Sequence, residues 1–182
     1  MNVGVLASGS GTNLQALLDA GDIDVAAVAS DRADARALER ATAAEVPTCV
    51  FPIEVFADRE ARDVAMADWL LAMGVDLVVL AGYMRLLSPA FLARFPDRVI
   101  NVHPALLPAF PGLDGIADAL AYGVKVAGVT VHHVDEGIDT GPILLQAALD
   151  VPEGIDRDGL HDLLRPLEHR LLLEAVRRLA AG

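Results

Sequence analysis

The feature that most constrains the fold is a regular alternation of short apolar stretches with amphipathic ones. Residues 2–7 and 25–30 have the composition of strands, and residues 75–81 form a continuous apolar run typical of a strand buried on both faces. Helix-like segments, such as residues 12–19 and 56–73, lie between these strands. Strands that alternate with helices predict an α/β fold with a mainly parallel, twisted sheet and helices on both faces, as in Rossmann-like proteins.

The second half of the chain is expected to add strands at residues 98–103, 128–134 and 143–151, the last a candidate for antiparallel pairing. Pro166 is expected to start the final helix, over residues 167–181, because proline fits the first helical position. No linker or internal repeat interrupts the 182 residues, so we expect a single domain over residues 1–182.

Composition and charge limit the kinds of partner that the chain can bind. Fourteen basic residues against 26 acidic ones give a net charge of −12, a field that repels nucleic acid. No apolar run approaches the roughly 20 residues that span a bilayer, so no membrane association is expected. Cys49 is the only cysteine, which excludes an internal disulfide and fits a cytoplasmic protein.

A glycine loop, Ser8-Gly9-Ser10-Gly11-Thr12-Asn13, follows the first strand and leads into a helix. Backbone amides at a helix start favour a phosphate, so the loop is a candidate anion site. It lacks the lysine of an ATP-type loop and the third glycine of the dinucleotide fingerprint. Two alternatives stay open: a tight turn capped by Thr12 or Asn13, and a nicotinamide site in which Asp31 would bind a ribose.

The sequence Asn101-Val102-His103-Pro104 carries the candidate chemistry. Side chains two apart on a strand share a face, and Pro104 ends the strand where α/β sheets place their sites. An amide N–H can bind the oxyanion of acyl transfer, while an imidazole can carry the proton. Alone, the pair would also fit a histidine that only caps the strand end.

An acidic loop, Asp135-Glu136-Gly137-Ile138-Asp139-Thr140-Gly141-Pro142, follows the next strand. A buried carboxylate from it could hold His103 in one tautomer. Asp139 is one candidate for that carboxylate, and Asp135 and Glu136 are rivals that spacing does not separate. An ordinary acidic turn in solvent is the remaining interpretation.

Together with residues 80–89 (Leu-Ala-Gly-Tyr-Met-Arg-Leu-Leu-Ser-Pro) and Thr130-Val131-His132, these motifs span almost the whole chain in one order. The set resembles the folate-dependent phosphoribosylglycinamide formyltransferases of purine biosynthesis. The resemblance implies the formyltransferase fold and transfer of a formyl group from 10-formyltetrahydrofolate, a co-substrate, to the amine of glycinamide ribonucleotide, without a metal. A monomer or homodimer is expected.

The resemblance also implies residue roles. The catalytic residues would be Asn101, His103 and Asp139. The acceptor's phosphate would lie at Gly11, Thr12 and Asn13, and its ribose at Glu168. The folate would be bound by Arg59, Met84, Arg85, Leu86, Leu87, Asp135, Glu136, Gly137 and Ile138. From the pattern alone, Met84, Leu86 and Leu87 would instead be core residues, and Arg59 and Glu168 solvated helix charges.

One segment departs from the resemblance: Asp114-Gly115-Ile116-Ala117 stands where many relatives have histidines. Contacts to the acceptor credited to those histidines are therefore not expected here. The alternatives within the same fold are a formyltetrahydrofolate hydrolase and a formyltransferase acting on aminoacyl-tRNA or a nucleotide sugar. The hydrolases usually add an N-terminal domain and the tRNA enzymes a basic domain, neither of which the sequence contains. A nucleotide-binding regulatory module without chemistry is the alternative from a different class.

Overall fold

Strands and helices alternate along most of the chain in the computed structural model, which describes all residues from Met1 to Gly182. One 3₁₀ turn, Ile53–Val55, precedes the third helix. The elements in order are β1 (Asn2–Leu6), α1 (Thr12–Asp19), β2 (Asp24–Ser30), α2 (Arg36–Ala43), β3 (Thr48–Val50), α3 (Arg59–Ala72), β4 (Leu77–Leu80), α4 (Pro89–Leu92), β5 (Val99–His103), α5 (Gly115–Tyr122), β6 (Val126–His133), β7 (Ile143–Asp150) and α6 (Arg157–Ala181).

The contacts divide the chain into two compact units, of which Met1–Ile100 is the first. In it, β1 pairs in parallel with β2 on one side and with β4 on the other, and β3 pairs in parallel with β2. All four residues of β4 are buried, as the apolar run predicts for a central parallel strand. The carboxyl ends of β1, β2 and β4 therefore meet at one edge, where the glycine loop begins.

The second unit, Asn101–Gly182, contains an antiparallel pair. Strands β6 and β7 run from the pair Val126–Asp150 to the pair His132–Ile143, which confirms the expected antiparallel pairing. Strand β7 alternates between exposed and half-buried positions, whereas most of β6 is buried. Polar side chains on β6 are therefore enclosed by protein, and this strand contributes to the candidate site.

The seven strands form one sheet in the order β3-β2-β1-β4-β5-β6-β7. Strand β5 contains the boundary between the two units, because it begins at Val99 and ends at His103. The predicted α/β class with a mainly parallel sheet is confirmed. None of the helices combines the length and the apolar character needed to cross a membrane.

The final helix differs from its prediction. Helix α6 starts at Arg157, with Asp156 as its cap accepting a hydrogen bond from the Gly159 N–H at 2.8 Å, and Pro166 lies inside it. An interior proline costs about 3 kcal/mol. Each fully buried leucine stabilises by about 1.5–3 kcal/mol, so the apolar face outweighs the proline. The buried leucines on both sides of it are Leu160, Leu164, Leu171 and Leu172.

Candidate functional site

The polar side chains at the end of β5 both reach one carboxylate. The Asn101 amide Nδ2 donates to Asp139 Oδ1 at 3.3 Å. The His103 ring Nδ1 lies 3.5 Å from Asp139 Oδ2. The shared face predicted from the strand period is therefore present, and the structure brings the three predicted catalytic residues together.

Asp139 owes its position to an unusual backbone conformation, with φ at 55°. Aspartate is among the few residues that tolerate this left-handed region. The Gly112 N–H donates to its Oδ2 at 2.8 Å. Burial would raise the pKa of Asp139, but its interactions with His132, the Gly112 N–H and His103 together outweigh burial, so the pKa is lowered. Asp139 is thus a carboxylate at neutral pH.

The rival acids of the same loop do not approach the histidine. Asp135 instead accepts hydrogen bonds from the Gly137 N–H at 3.0 Å and the Thr140 hydroxyl at 2.7 Å, which close its own loop. Glu136 is exposed. Of the three candidates, only Asp139 is arranged to orient His103.

A fourth side chain, His132 on β6, completes the cluster and carries no predicted role. Its Nδ1 lies 2.8 Å from the His133 carbonyl oxygen, which only accepts, so the ring proton sits on Nδ1. The Nε2 atom of the neutral ring is then an acceptor, and it lies 3.2 Å from Asn101 Nδ2. Both hydrogens of the Asn101 amide are consequently engaged, one by His132 and one by Asp139. The sequence signal was a histidine two positions after Thr130 in a mainly apolar strand.

The other ring nitrogen of His103 is also engaged. Its Nε2 donates to the Phe110 carbonyl oxygen at 2.8 Å, so both ring nitrogens face oxygen atoms. Gly115 packs directly beside this contact: a Cβ there would lie 3.0 Å from His103 Nε2 and 2.9 Å from the Phe110 oxygen. The imidazole therefore sits in a closely fitted position that depends on a residue without a side chain.

The loop after β5 is anchored by Thr130. Its hydroxyl donates to the Ala105 carbonyl at 2.7 Å and accepts from the Leu107 N–H at 3.1 Å and the Gln146 amide at 2.9 Å. Thr130 is completely buried, so these bonds satisfy a polar group that water cannot reach. They tie the loop that carries Phe110 to the antiparallel pair.

The segment that departs from the resemblance forms the start of α5. Asp114 caps the helix by accepting from the Ala117 N–H at 3.2 Å, and it pairs with Arg157 at 3.0 Å. The Arg157 hydrogen bond leads the interactions that lower the pKa of Asp114. The aspartate therefore has a structural role at this position.

In the first unit, the glycine loop turns tightly into α1. Gly11 is the N-cap, with φ at 70°, and a Cβ there would lie 2.7 Å from Ala37 Cα. No side chain caps the helix, which rules out the alternative of a turn capped by Thr12 or Asn13. A helix start without a side-chain cap suits an anion, which its backbone amides can bind.

The chain after β4 turns outward at Gly82, whose φ is 73°. Met84 is 55% exposed and Leu86 48% exposed, whereas Leu87 is buried. The core interpretation of Met84 and Leu86 is therefore wrong, because both lie beyond the turn that ends the buried strand. Two large apolar side chains stand at the surface next to a polar backbone.

Asp31, which follows β2, is buried beside this segment. Its Oδ1 accepts from the Ser8 hydroxyl at 2.6 Å and its Oδ2 from Arg85 Nε at 2.8 Å. The Ser8 oxygen in turn accepts from the Met84 N–H at 3.0 Å. Both carboxylate oxygens are thus used inside the protein, which removes the basis for Asp31 as a ribose-binding acid.

Comparison with known proteins decides the family. The sequence matches the Formyl transferase family over residues 1–176. This chain belongs to the formyl transferase family. Phosphoribosylglycinamide formyltransferase of Mycobacterium tuberculosis (strain ATCC 25618 / H37Rv) is 53% identical over 180 residues, covering 97% of this chain and 83% of that protein. The Escherichia coli (strain K12) protein of that name is 41% identical over 176 residues, covering 94% and 83%.

The fold agrees with solved structures of such proteins. The crystal structure of glycinamide ribonucleotide transformylase 1 from Symbiobacterium toebii superposes with a TM-score of 0.98 at 51% identity, covering 100% of this chain and 88% of that one. The phosphoribosylglycinamide formyltransferase from Bacillus halodurans gives a TM-score of 0.94 at 39% identity, covering 98% and 95%. Sequence and architecture therefore agree on the family.

Two predicted site residues of this formyl transferase lie on helices. Arg59 is the first residue of α3 and is exposed, as expected for a solvated charge. Glu168 is only 5% exposed, with His161 Nε2 at 3.8 Å, so its interpretation as a solvated charge is wrong. Glu168 is thus a carboxylate enclosed by protein on α6, with the His161 ring beside it.

Proposed function

We propose that this formyl transferase moves the formyl group of 10-formyltetrahydrofolate to the amine of N1-(5-phospho-D-ribosyl)glycinamide in purine biosynthesis. The observation that carries the proposal is the cluster of Asn101 and His103 around the ionised Asp139. An amide, an imidazole and a carboxylate are the groups that acyl transfer to an amine requires. Relatives that are 38–53% identical and are named phosphoribosylglycinamide formyltransferase support this choice of substrates.

The proposed reaction is a direct attack. The acceptor amine forms a bond to the formyl carbon, the carbonyl electrons move onto oxygen, and the bond from carbon to N10 of the folate then breaks. The amine loses a proton and N10 gains one. Asn101 and a protonated His103 donate hydrogen bonds to the oxyanion, and Asp139 holds the imidazole and assists the proton transfer.

Existing hydrogen bonds define what must change when substrate binds. We infer that an oxyanion replaces the Asn101 bond to Asp139, at 3.3 Å, while the 3.2 Å contact with His132 keeps the amide in place. His103 Nε2 must exchange the Phe110 carbonyl for a substrate atom before it can donate there. Each exchange replaces one hydrogen bond by another, so its net cost is about 1 kcal/mol or less.

The binding proposals follow the same residues as the resemblance. We place the phosphate at the α1 start, at Gly11, Thr12 and Asn13, and the ribose at Glu168. We place the folate at Arg59, at residues 84–87 and at residues 135–138, with no metal taking part. The exposed Met84 and Leu86 support a folate site, since exposed apolar side chains suit the face of a flat heterocycle. The chain is proposed to work as one domain, cytoplasmic, as a monomer or homodimer.

One experiment tests the proposal against its alternatives. The protein is incubated with 10-formyltetrahydrofolate, with and without glycinamide ribonucleotide, and deformylation is followed by absorbance. Turnover that requires the acceptor supports the proposed transferase. Turnover without it would identify a hydrolase, and no turnover in either case would contradict both enzymes and favour a binding module.

A further inference from the structure

Residues 84–88, here called the 84–88 segment, are held at both ends by buried carboxylates that have no proposed part in the reaction. At one end, Asp31 binds Arg85 directly and Met84 through Ser8. At the other end, Asp63 of α3 accepts from the Ser88 N–H at 2.6 Å. The exposed Met84 and Leu86 therefore lie in a short stretch whose two ends are fixed.

The Asp31 end connects three neighbouring strand ends. Ser8 follows β1, Asp31 follows β2, and the 84–88 segment follows β4. Because Ser8 donates to Asp31 and accepts from the Met84 N–H, the carboxylate sets the direction of the hydroxyl proton and leaves the oxygen lone pair for the backbone. Burial would raise the pKa of Asp31, but the bonds from Ser8 and Arg85 outweigh burial and lower it. Asp31 is thus an anion at neutral pH, and its two oxygens organise this end.

The Asp63 end is more deeply buried. Asp63 has no exposed surface, and its Oδ1 accepts from Arg62 Nε at 2.9 Å and Nη2 at 2.6 Å. Its Oδ2 is left for the Ser88 N–H, and Ser88 in turn caps α4 by accepting from the Phe91 N–H at 3.3 Å. A buried ion pair is costly to assemble and is weak support for stability by itself. Here one of its oxygens is committed to the backbone of the 84–88 segment.

We propose that Asp31 and Asp63 are positioning residues for the folate: they hold the 84–88 segment in the shape that grips the pterin. The inference rests on the proposed function, which places the folate at residues 84–87. A binding stretch that is already ordered does not lose its conformational freedom when the ligand arrives, and this raises affinity without a new contact. Charge-assisted hydrogen bonds from buried anions are strong enough to impose that order.

The test compares Asp31→Asn and Asp63→Asn with the wild type. We expect KM for 10-formyltetrahydrofolate to rise about tenfold in each, the size expected for losing one hydrogen bond to a charged group. The value of kcat and KM for glycinamide ribonucleotide should change less than about twofold. Titration with a folate analogue in which carbon replaces N10, so that no formyl group can be transferred, should give the same tenfold rise in Kd.

The chain offers matched controls. Asp34→Asn removes an exposed acid near Asp31 that pairs only with Arg32, and Asp68→Asn removes an exposed acid of α3 that pairs with Arg94. Both controls should leave all constants unchanged. Because Asp63→Asn leaves Arg62 without its anion, the double variant Arg62→Gln/Asp63→Asn, which buries no unpaired charge, is measured alongside it.

Several outcomes overturn the inference. Unchanged folate constants with a lower melting temperature would make the two carboxylates structural only. A parallel rise in both KM values, or a fall in kcat alone, would also contradict a role specific to folate. Analogue titration keeps this inference separate from the proposed function: wild-type protein that binds the analogue without turnover fails only the reaction, and protein that binds no analogue fails the inference.

Discussion

Asp31 in the first unit and Asp139 in the second are both aspartates, but the groups bonded to them differ. Both follow strands, both are shielded from water, and the pKa of each is lowered despite burial. Asp31 is bonded to a hydroxyl and a guanidinium, which hold a backbone segment. Asp139 is bonded to an amide and a main-chain N–H and lies beside two imidazoles, which can donate and move protons.

Burial and ionisation therefore do not distinguish a catalytic carboxylate from a positioning one. The groups that are hydrogen-bonded to the carboxylate do distinguish them. Groups around Asp139 change their hydrogen bonds during the proposed reaction, so altering it should act on kcat. Groups around Asp31 keep their hydrogen bonds, so altering Asp31 should change KM.

Asp139→Asn should lower kcat by about 100- to 10,000-fold, the range that positioned acid–base groups contribute. The amide keeps the size of the side chain but removes the charge that faces His103. Steady-state kinetics with both substrates measure the effect. Asp162→Asn, which removes an exposed acid of α6 that pairs with Arg165, serves as the control and should stay within a few fold. If Asp139→Asn changed only KM and left kcat intact, Asp139 would act like Asp31 and the proposed difference between the two carboxylates would be wrong.

Asn101→Ala should lower kcat by about 100- to 1,000-fold, as expected when an oxyanion donor is removed. The KM values should change little, because the amide donates to charge that exists only in the transition state. Measurement is by initial rates, with circular dichroism to establish that the variant is folded. Wild-type turnover in this variant would show that Asn101 is not the oxyanion donor.

His132→Leu should lower kcat by about fivefold, equivalent to one neutral hydrogen bond of about 1 kcal/mol. The change removes the acceptor that holds the Asn101 amide at 3.2 Å. His132→Gln keeps an acceptor at that position and should recover most of the rate. If glutamine were as slow as leucine, the orientation of Asn101 would not depend on this contact.

The smallest effect concerns stability in acid. The pKa of Asp31 is lowered from its ordinary value of 3.8, so the ionised group stabilises the fold at higher pH and this contribution is lost as the pH falls below about 4. Asp31→Asn should therefore flatten the decline in free energy of unfolding between about pH 5 and pH 3. Urea unfolding across that range measures it. Parallel curves for variant and wild type would contradict the lowered pKa of Asp31.

Most of the fold could be predicted, because the apolar runs and their alternation with helices report burial directly. Strand β4 and helix α1 illustrate this. The start of α6 could not be predicted, since the rule that places Pro166 first in a helix is local. The burial of leucines on both sides of that proline depends on tertiary packing, which no local pattern shows.

The candidate site divides in the same way. The shared face of Asn101 and His103 follows from the strand period, so it was predictable. Asp139, and not Asp135, approaches His103 because of a left-handed backbone conformation at Asp139, which the sequence does not predict. The engagement of His132 depends on a carbonyl of its own strand, and the exposure of Met84 depends on a turn at Gly82. Each of these features depends on tertiary structure, which local sequence patterns do not show.

Gly115 has a consequence for how much variation the protein tolerates. Any larger residue places a carbon within 3.0 Å of His103 Nε2, tighter than side chains normally pack, even though Gly115 itself has no side chain to act on a substrate. In a saturation scan selected for growth without purines, position 115 should accept almost no replacement, while its neighbour Asp114 should accept other helix-capping residues. A failure of position 115 to accept other residues would show that there is no room for a side chain beside His103. A search limited to chemically active residues would miss this position.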